Sequence, residues 1–559
     1  MVHLPSNPKL ISSRFALRRV LSMAAGAAVG ASLLLSCTRS EGPPASVHDG
    51  SSGGPEAPAT MPTAEAPGAT AAEELAEIQR KNLESFDIVW RTIDERHYDA
   101  ELGGVDWDAA REKYRPRVEE AGSVAEARQH MQEMIDLLGQ SHMAIIPASA
   151  YETFAGQDAS AQSGDGEGGE EEGDVPQSSV EGDTGMRVRL VDPESREVLV
   201  TEVKPGSGAE AAGVQPGWQL LRIGEDDVKE VVGTIVEAIT ARGHGKPEMY
   251  ASFALMGRLQ GEEGERKQVT LMDGDGQERT VEIELEAAPG ELTRLGHLPP
   301  VRVDFEWRRE EKEGVTLGYI GFDAFMDPPR LSPLLEAAMR DFTNPEDPVD
   351  GVVLDVRGNV GGIVMMVPGI AGYFVNERGV TMGTLDTRET ELKLVIFPRT
   401  VQFAGPLAVL TDTCSVSAAE LLSGGLQGLG RARVFGLATA GEALPAQFTR
   451  LPNEDGFLFV FADYQTADSK RLEGDGVLPD EVVPYDRATL LAGEDPMLQA
   501  AAEWIRREVA SRPAAPEGEA PATQPADVAD EAGSPATGAT PDAPTTQATT
   551  RPSTQNNQP

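Results

Sequence analysis

The stretch that most limits what this chain can fold into is residues 411–420, which read TDTCSVSAAE. It follows a short apolar run at 407–410 and leads into apolar positions of helical spacing, Leu421, Leu422 and Leu426. This pattern predicts a strand, a tight turn and a helix, with Ser417 at the turn. Such a turn exposes a hydroxyl and directs backbone N–H groups, at the positive end of the helix, toward whatever lies in front of them.

A glycine-rich segment upstream, LDVRGNVGG at residues 354–362, follows another apolar run at 352–354. Its glycines let the backbone approach a ligand closely. A serine at the start of a helix, facing a loop rich in N–H groups, is the arrangement that acyl transfer needs, because it provides a nucleophile and donors for the oxyanion. The residues alone leave open that Ser417 only caps the helix.

Composition excludes several classes of partner. The chain has 559 residues, which predicts several domains. With 48 Lys and Arg against 91 Asp and Glu, its net charge of −43 argues against nucleic acid and anionic membrane surfaces as partners. No pair of histidines or cysteines has the spacing of metal ligands, so we expect no metal and no other cofactor. The oligomeric state is not indicated.

The amino terminus carries a processing signal. A basic region precedes an apolar run at 21–35, which is short for a membrane span and ends in LLSC. This segment resembles a bacterial lipoprotein signal, which implies cleavage before Cys37, lipidation of its thiol and attachment to the cell envelope. An ordinary secretory signal with a chance cysteine is the alternative. Thr38, in place of Asp after the cysteine, favours the periplasmic side of the outer membrane. With Cys37 lipidated, Cys414 is the remaining thiol, so no internal disulfide is expected.

Composition and periodicity divide the chain into seven parts and predict a multidomain α/β (α+β) protein. In the last folded part, we predict strands at 318–322, 352–354, 407–410, 434–435 and 458–461, and helices at 331–342, 418–429 and 497–509. The predicted parts are a signal peptide (1–36), a disordered tether (37–71), an N-terminal helical domain (72–150), an acidic low-complexity insert (151–184), a strand-rich domain (185–290), an α/β domain (291–511) and a disordered tail (512–559).

The strand-rich part contains GMRVRL at 185–190, followed by EVLVTEVKPGSGAEAAGVQPGWQLLRIG. These residues resemble a PDZ domain. The resemblance implies that a peptide adds to the sheet edge as an extra strand, while N–H groups of the loop entering the first strand bind its C-terminal carboxylate. A spacer domain with a non-functional groove is the alternative. The residues to which the resemblance assigns peptide binding are Gly185, Met186, Arg187 and Val188.

Five motifs follow in order: GYIGFDAF, VVLDVRGNVGG, CSVSAAELL, FGLATAGE and EGDGVLPDEVV. After a PDZ-like segment, they resemble the carboxy-terminal processing, or tail-specific, serine proteases. In that family the nucleophile is the serine three positions before the glutamate of the third motif, and this position maps onto Ser417. Bacterial members use a lysine as the base, and that position here is Glu442, whose carboxylate cannot act as a neutral amine does.

Two interpretations follow: a catalytically inactive peptide-binding or scaffolding lipoprotein, or a peptidase that uses another base. The tricorn core proteases, a branch with the same fold, use a histidine from the helical domain, a serine beside it and a glutamate near the C-terminal end. VDWDAAREKY and LLGQSHMAI in this chain resemble that branch, which assigns these roles to His142, Ser141 and Glu473. Lys470, as a substitute amine, is a further alternative for the base. Cys414 is interpreted as a small buried hydrophobe rather than a nucleophile.

The assigned residue types suit the chemistry. A histidine has a near-neutral pKa, so it can take a proton from a serine hydroxyl and return it to a leaving amine. Ser141 would fix the tautomer of the ring, and Glu473 would favour the imidazolium as it forms. We therefore predict an envelope-anchored serine endopeptidase whose partners are unfolded or C-terminal peptide segments. The predicted oxyanion donors are the backbone N–H groups of Gly361, Gly362 and Ala418.

Overall fold

The computed structural model describes residues 71–148, 182–293 and 301–511. The predictions for the signal peptide with Cys37, the tether, the insert up to residue 181 and the tail from residue 512 lie outside these residues. Within the described ranges, no helix is long and apolar enough to cross a membrane.

The helical segment (residues 71–148) consists of three helices and a short strand. The helical periodicity predicted around Phe86, Val89 and Ile93 is confirmed, since these side chains form one buried stripe of the first helix. Gly139, with a left-handed φ of 59°, ends the last helical turn as predicted. The elements are α1 (Ala71–Arg96), α2 (Trp107–Glu119), α3 (Val124–Ile135) and β1 (Ala144–Ile146).

The middle segment (residues 182–293) is an antiparallel sheet with helices packed against it. The elements are β2 (Gly182–Asp183), β3 (Met186–Asp192), β4 (Glu197–Val203), α4 (Gly208–Ala211), β5 (Gln219–Ile223), β6 (Asp226–Asp227), α5 (Val228–Arg242), α6 (Pro247–Arg258), β7 (Gln260–Gly261), β8 (Arg266–Met272), β9 (Glu278–Glu284), β10 (Glu286–Ala287) and β11 (Glu291–Thr293).

The main sheet of the middle segment has the strand order β3-β4-β5-β8-β9, so β3 lies at an edge. The strands predicted from the sequence lie within β3, β4 and β5, and the short helix predicted between the last two is α4. Helices α5 and α6 are absent from the predicted elements, although Val228, Val232, Ile235 and Ile239 repeat with a helical period and are buried.

The carboxyl-terminal segment (residues 301–511) is built around a six-stranded sheet. The elements are β12 (Val301–Val303), β13 (Phe305–Lys312), β14 (Val315–Phe322), α7 (Pro328–Phe342), β15 (Gly351–Asp355), α8 (Met366–Ala371), β16 (Thr381–Thr387), β17 (Glu391–Val395), β18 (Leu407–Thr411), α9 (Ala418–Gly428), β19 (Arg433–Gly436), β20 (Ala446–Arg450), β21 (Gly456–Val460), β22 (Ala462–Thr466), β23 (Glu481–Val482), α10 (Arg487–Leu491) and α11 (Pro496–Ser511).

The six strands follow the order β13-β14-β15-β18-β19-β23, antiparallel between β13 and β14 and parallel thereafter. Successive side chains of a strand point to opposite faces. Accordingly, Val352 and Leu354 pack in the core that includes α7 and α9, whereas Val353 packs with α11 on the other face. Strands buried on both faces appear in sequence as continuous apolar runs. The predicted α/β layout is therefore confirmed.

Strands β15 and β18 are neighbours and parallel, with Asp355 opposite Leu410. Because their carboxyl ends lie at the same edge of the sheet, the loops at 356–362 and 412–417 emerge side by side. The motifs at residues 354–362 and 411–420 therefore lie next to each other in the structure.

One predicted strand belongs elsewhere. The apolar run at 458–461 lies in β21 and at its end, outside the six-stranded sheet. It pairs with β20 and with β1 of the helical segment, where Ile145 lies opposite Phe457. This pairing joins the helical segment to the carboxyl-terminal segment and directs residues 141 and 142, which precede β1, toward the loops described below.

Candidate active site

Ser417 lies at the turn between β18 and α9, as predicted, and is the N-cap residue of the helix. Its backbone has φ 56° and ψ −116°, a conformation that is costly for a residue with a side chain and that is found mostly at functional sites. The side chain is 2% exposed. The Ser417 N–H donates to the Glu442 carbonyl at 3.1 Å and to the Glu420 carboxylate at 2.9 Å.

The buried Glu420 carboxylate holds the turn and a neighbouring loop together. Besides the Ser417 N–H, it accepts hydrogen bonds from the Thr439 hydroxyl (2.6 Å) and from the N–H groups of Gly441 (2.7 Å) and Glu442 (3.1 Å). Burial raises its pKa to about 7. Sequence reasoning did not assign this role, although a glutamate three residues after a helix-capping serine is the pattern of a capping box.

The loop at 356–362 is fixed by Asn359, whose side chain is fully buried. Its amide donates to the Phe322 carbonyl at 2.7 Å, and its side-chain oxygen accepts from the Gly361 N–H at 2.9 Å. Its carbonyl accepts from the Val416 N–H at 2.9 Å, which ties this loop to the residue before Ser417.

The three predicted oxyanion donors lie together but differ in availability. The Gly361 N–H donates to the Asn359 side chain, so in this conformation it is not free to bind an oxyanion. What Gly361 provides is room beside Ser417, because it has no side chain. Gly361 has a φ of 87°, and a Cβ there would lie 2.7 Å from the Ser417 Cβ and 3.1 Å from the Ala418 nitrogen. The Ala418 N–H is in the first turn of α9, where helical N–H groups have no partner within the helix. In this conformation Ala418 is therefore better placed than Gly361 to donate.

Ser141, His142 and Glu473 form a continuous hydrogen-bonded chain. The Ser141 hydroxyl lies 2.9 Å from His142 Nδ1 and donates to Glu473 Oε2 at 3.0 Å. A hydroxyl has one proton to give, so with that proton on Glu473 it accepts from Nδ1–H. This tautomer leaves the lone pair of Nε2 free. Nε2 is buried and has no hydrogen-bond partner among the described residues.

Burial shifts the pKa values of His142 and Glu473 in opposite directions. The His142 side chain is 4% exposed, and burial lowers its pKa to about 4. Burial raises the pKa of Glu473 to about 7, although its carboxylate also accepts from the N–H groups of Ser141 (3.2 Å) and Ala443 (2.9 Å). His142 also has a positive φ of 56°, so both His142 and Ser417 occupy strained backbone conformations.

The dipeptide Glu442–Ala443 connects the two halves of the site. Its Glu442 carbonyl accepts from the Ser417 N–H, and the next N–H, that of Ala443, donates to Glu473. The structure thus brings the four predicted catalytic residues to one cluster of loops, although no hydrogen bond joins His142 Nε2 to the Ser417 hydroxyl in this conformation. Sequence reasoning did not identify Ala443, whose contribution is made by the backbone and leaves no pattern in the sequence.

Beside this chain lies a cavity of about 260 Å³, bordered by Ser141, Glu473, Glu442, His244 and Arg471 among others. It adjoins the Glu473 end of the chain rather than the Nε2 side of the histidine. Ser417 and His142 themselves are almost completely buried.

The side chain at the family lysine position, Glu442, is bonded to Tyr250 of the middle segment, whose hydroxyl donates to Oε1 at 2.5 Å. Burial raises the pKa of Glu442. The alternative amine, Lys470, is exposed and paired with Asp468 at 3.0 Å. Cys414 is fully buried, and burial raises the pKa of its thiol to about 12, as expected of a packing residue.

The residues predicted to bind a peptide carboxylate already have partners. The Gly185 N–H donates to Asp183 at 2.6 Å, and the Met186 N–H donates to the Thr184 hydroxyl at 3.4 Å. The Arg187 guanidinium pairs with the same Asp183 at 3.3 Å. Val188 pairs with β4.

The exposed edge of β3 is also partly covered. Helix α6 packs along it, and the Ser252 hydroxyl accepts from the Leu190 N–H at 3.0 Å. A peptide added at this edge would have to displace that bond.

The middle segment also contacts the loop before Ser417, which sequence reasoning did not predict. Arg189 of β3 forms a buried ion pair with Asp412 at 2.6 Å, and Asp412 accepts from the Gly358 N–H at 2.9 Å. Cys414 and Val416 belong to the same apolar core as the middle segment. Among the described residues, no group of three or more His, Cys, Asp and Glu side chains is placed to hold a metal ion.

Comparison with known proteins identifies two regions. Residues 316–483 match peptidase family S41, and residues 79–136 match the tricorn protease C1 domain. The carboxyl-terminal-processing protease of Picosynechococcus sp. is 25% identical over 400 residues, covering 71% of this chain and 82% of the relative. That of Synechocystis sp. is 24% identical over 428 residues, covering 75% and 86%. A solved structure, the photosystem II D1 C-terminal processing protease, aligns with 22% identity and a TM-score of 0.47, covering 74% of this chain and 98% of that one.

Proposed function

We propose that this chain, a serine-type peptidase with a family S41 domain at residues 316–483, hydrolyses peptide bonds with Ser417 as nucleophile and His142 as base. The observation that carries the proposal is the hydrogen-bonded chain from Glu473 through Ser141 to His142, which leaves Nε2 free to accept a proton. The match of residues 79–136 to the tricorn protease C1 domain supports it, because this region immediately precedes the histidine.

The reaction begins when Ser417 Oγ attacks the substrate carbonyl carbon and its proton passes to His142 Nε2. The negative charge that forms on the carbonyl oxygen is bound by the N–H groups of Gly362 and Ala418. The intermediate then collapses, the C–N bond breaks, and the proton on Nε2 goes to the leaving amine. Water attacks the acyl-enzyme by the same route and regenerates the serine. Each oxyanion donor contributes about 3 to 4 kcal/mol in other hydrolases.

Ser141 and Glu473 act on the histidine rather than on the substrate. The Ser141 hydroxyl accepts from Nδ1–H, which keeps the ring in the tautomer that has a basic Nε2. The Glu473 carboxylate, one hydrogen bond further, favours the imidazolium that forms during attack. This help matters because the burial that lowers the pKa of His142 also disfavours its charged form.

We further propose that the middle segment, which resembles a PDZ domain, captures polypeptide C-termini. The supporting features are the edge position of β3 and the N–H groups of Gly185 and Met186 at its start. A C-terminal carboxylate would replace Asp183 and Thr184 as their acceptor. The relatives named above are carboxyl-terminal-processing proteases, which agrees with substrates of this kind.

Activity on an unfolded protein tests the catalytic assignment. Ser417→Ala and His142→Ala should each lose at least about 10³-fold in kcat/KM, the scale of triad removal in serine hydrolases. Ser423→Ala, whose hydroxyl bonds to its own helix, and His130→Ala, elsewhere in the helical segment, are matched controls that should retain activity. If wild type is no faster than Ser417→Ala, the chain is instead a catalytically inactive peptide-binding protein.

Paired peptides test C-terminal capture in the same assay. A peptide with a free carboxylate should have a lower KM than its C-terminal amide, while kcat is equal for the two. Equal KM values would remove the carboxylate-binding role from residues 185–188.

The lipoprotein-like signal supports a location on the periplasmic side of the bacterial outer membrane, with the mature chain anchored through a lipid on Cys37. This location would expose the peptidase to exported polypeptides.

A further inference from the structure

The first turn of helix α6 reaches from the middle segment into the candidate active site. Lys246 is its N-cap residue, and Tyr250 lies one turn later on the same face. Both side chains end on loops of the carboxyl-terminal segment rather than within their own segment.

Lys246 joins two loops that are distant in sequence. Its ammonium donates to the carbonyl of Thr439 and, at 3.0 Å, to the carbonyl of Asp475. Thr439 also donates its hydroxyl to Glu420, and Asp475 lies two residues after Glu473. Hydrogen bonds from a charged donor are roughly twice as strong as neutral ones. A single cation therefore fixes the loop that contacts Ser417 relative to the loop that carries Glu473.

Tyr250 acts on the same loop through Glu442. Its hydroxyl donates to Glu442 Oε1 at 2.5 Å, and both side chains are only 6% exposed. Glu442 in turn uses both main-chain groups within the site: its N–H donates to Glu420, and its carbonyl accepts from the Ser417 N–H. Any shift of Glu442 is transmitted directly to the nucleophile.

The backbone leaves little space for this contact to change. Gly245, between the two side chains, has a φ of 86°. A Cβ at this position would lie 2.7 Å from the Tyr250 ring and 3.5 Å from Glu442 Oε1. The close fit requires glycine here and fixes how α6 approaches the loop.

We propose that Lys246 and Tyr250 are positioning residues for the hydrolysis proposed above, acting through Glu442 and the loops at 439–442 and 473–475. The position that carries the amine base in bacterial relatives of this family then serves as an anchor for the middle segment. The middle segment thereby forms part of the catalytic scaffold, in addition to any role in capturing substrate. This inference rests on the proposed function, because its kinetic consequence exists only if Ser417 is the nucleophile.

Two conservative variants of the mature chain test it. Tyr250→Phe removes one hydroxyl, and Lys246→Met keeps the aliphatic stem but removes the ammonium. Each should lower kcat by about tenfold on an unfolded protein substrate, since small misplacements in an active site cost up to about a hundredfold. KM and the melting temperature should change little. Lys246→Arg, which keeps a cationic donor, should restore most of the lost kcat.

Matched controls are available in the same chain. Lys229 is exposed on α5, so Lys229→Met removes an ammonium far from the loops. Tyr114 is a buried tyrosine of the helical segment, so Tyr114→Phe removes a tyrosine hydroxyl outside these loops. Both should retain the wild-type kcat.

Hydrogen exchange at the amides of Ser417 and Glu442 gives a readout that does not need turnover. In Tyr250→Phe these amides should exchange faster than in wild type and in Tyr114→Phe. Wild-type kcat in both Tyr250→Phe and Lys246→Met would overturn the inference while leaving the proposed function intact. A joint change of kcat, KM and melting temperature without rescue by arginine would also overturn it, since that is a purely structural effect. If wild type itself shows no turnover above Ser417→Ala, the proposed function fails, and unchanged exchange in Tyr250→Phe would then reject the positioning contact as well.

Discussion

His142 is almost completely buried in the candidate site, and its protonation follows from that burial. Its ordinary pKa of about 6.5 is lowered to about 4, so the ring is neutral and able to accept a proton at physiological pH. Glu473 shifts the other way, to about 7. Opposite shifts of two nearby titratable groups are characteristic of acid–base assignments in enzymes.

This shift predicts a dependence of stability on pH. Between pH 6.5 and 4 the unfolded chain binds a proton at His142 and the folded chain does not, so the contribution of His142 to stability falls as the pH falls through this window. The raised pKa of Glu473 makes the opposite contribution below pH 7, so the effect of His142 is isolated by comparing wild type with a His142 variant. The loss attributable to His142 between pH 7 and pH 4 is about 3 kcal/mol. The free energy of unfolding of His142→Gln, measured with urea, should therefore rise by about that much relative to that of wild type between pH 7 and pH 4, by the same linkage. Parallel curves for the two proteins, or an equal gain in the His130→Gln control, would contradict the assignment.

At the scale of residues, the sequence predicted the positions that carry a motif but not their supports. Ser417, His142, Ser141 and Glu473 could be assigned by resemblance, and the structure brings them to one cluster of loops. Contacts such as that between Tyr250 and Glu442 join positions 192 apart in sequence, and nothing local marks them. Buried hydrogen bonds of this kind depend on the tertiary arrangement, which a single sequence does not display.

The element that determines where His142 lies is strand β1. It pairs with β21, and the helical segment is held at the same place by Arg128 of α3, whose guanidinium forms a two-pronged ion pair with Asp455 at 2.7 and 2.9 Å. The Asp455 carboxylate is fully buried and also accepts from the Ala148 N–H at 3.0 Å. This corner of the molecule therefore fixes the helical segment against the sheet that carries β21.

Removing the buried carboxylate of Asp455 should both destabilise the protein and lower its turnover rate. Asp455→Ala leaves the Arg128 guanidinium without its acceptor, and breaking a buried ion pair costs about 3 to 5 kcal/mol. We expect a lower unfolding midpoint and a reduced kcat, because His142 directly precedes β1 and its position depends on that strand. Glu454→Ala is the matched control: its partner Arg450 is exposed, and such pairs contribute about 0 to 1 kcal/mol. An Asp455→Ala variant with wild-type stability would show that the segment is held in some other way.

At the scale of elements, the apolar runs predicted where strands form but not which strands pair with each other. GVVLD and LAVLT form strands as predicted, and the structure shows them as parallel central strands with both faces buried. GFLFV has the same apolar character, yet it forms β21 in a separate antiparallel sheet. The run is similar in both cases, and the partner strand decides the sheet. That partner, β1, comes from more than 300 residues earlier in the chain.

The whole molecule combines strong negative charge with a proposed lipid anchor. At a net charge of −43, electrostatic attraction to an anionic bilayer is disfavoured, so membrane attachment would depend on the lipid at Cys37. Cys37→Ser should therefore move the protein from the membrane fraction to the soluble fraction and abolish incorporation of labelled palmitate. Peptidase activity per molecule should be unchanged. Retention of the serine variant in membranes would argue against lipid anchoring.

The hydrogen bond between Ser141 and Glu473 spans 332 positions of the chain. On the proposed assignment, a chain synthesised or exported only as far as a residue before 417 contains the base, His142, but not the nucleophile, Ser417. A fragment that lacks the amino-terminal helices and His142 contains the nucleophile but not the base. On that assignment the site would be complete only after residue 473 has been synthesised and the two ends of the chain have met.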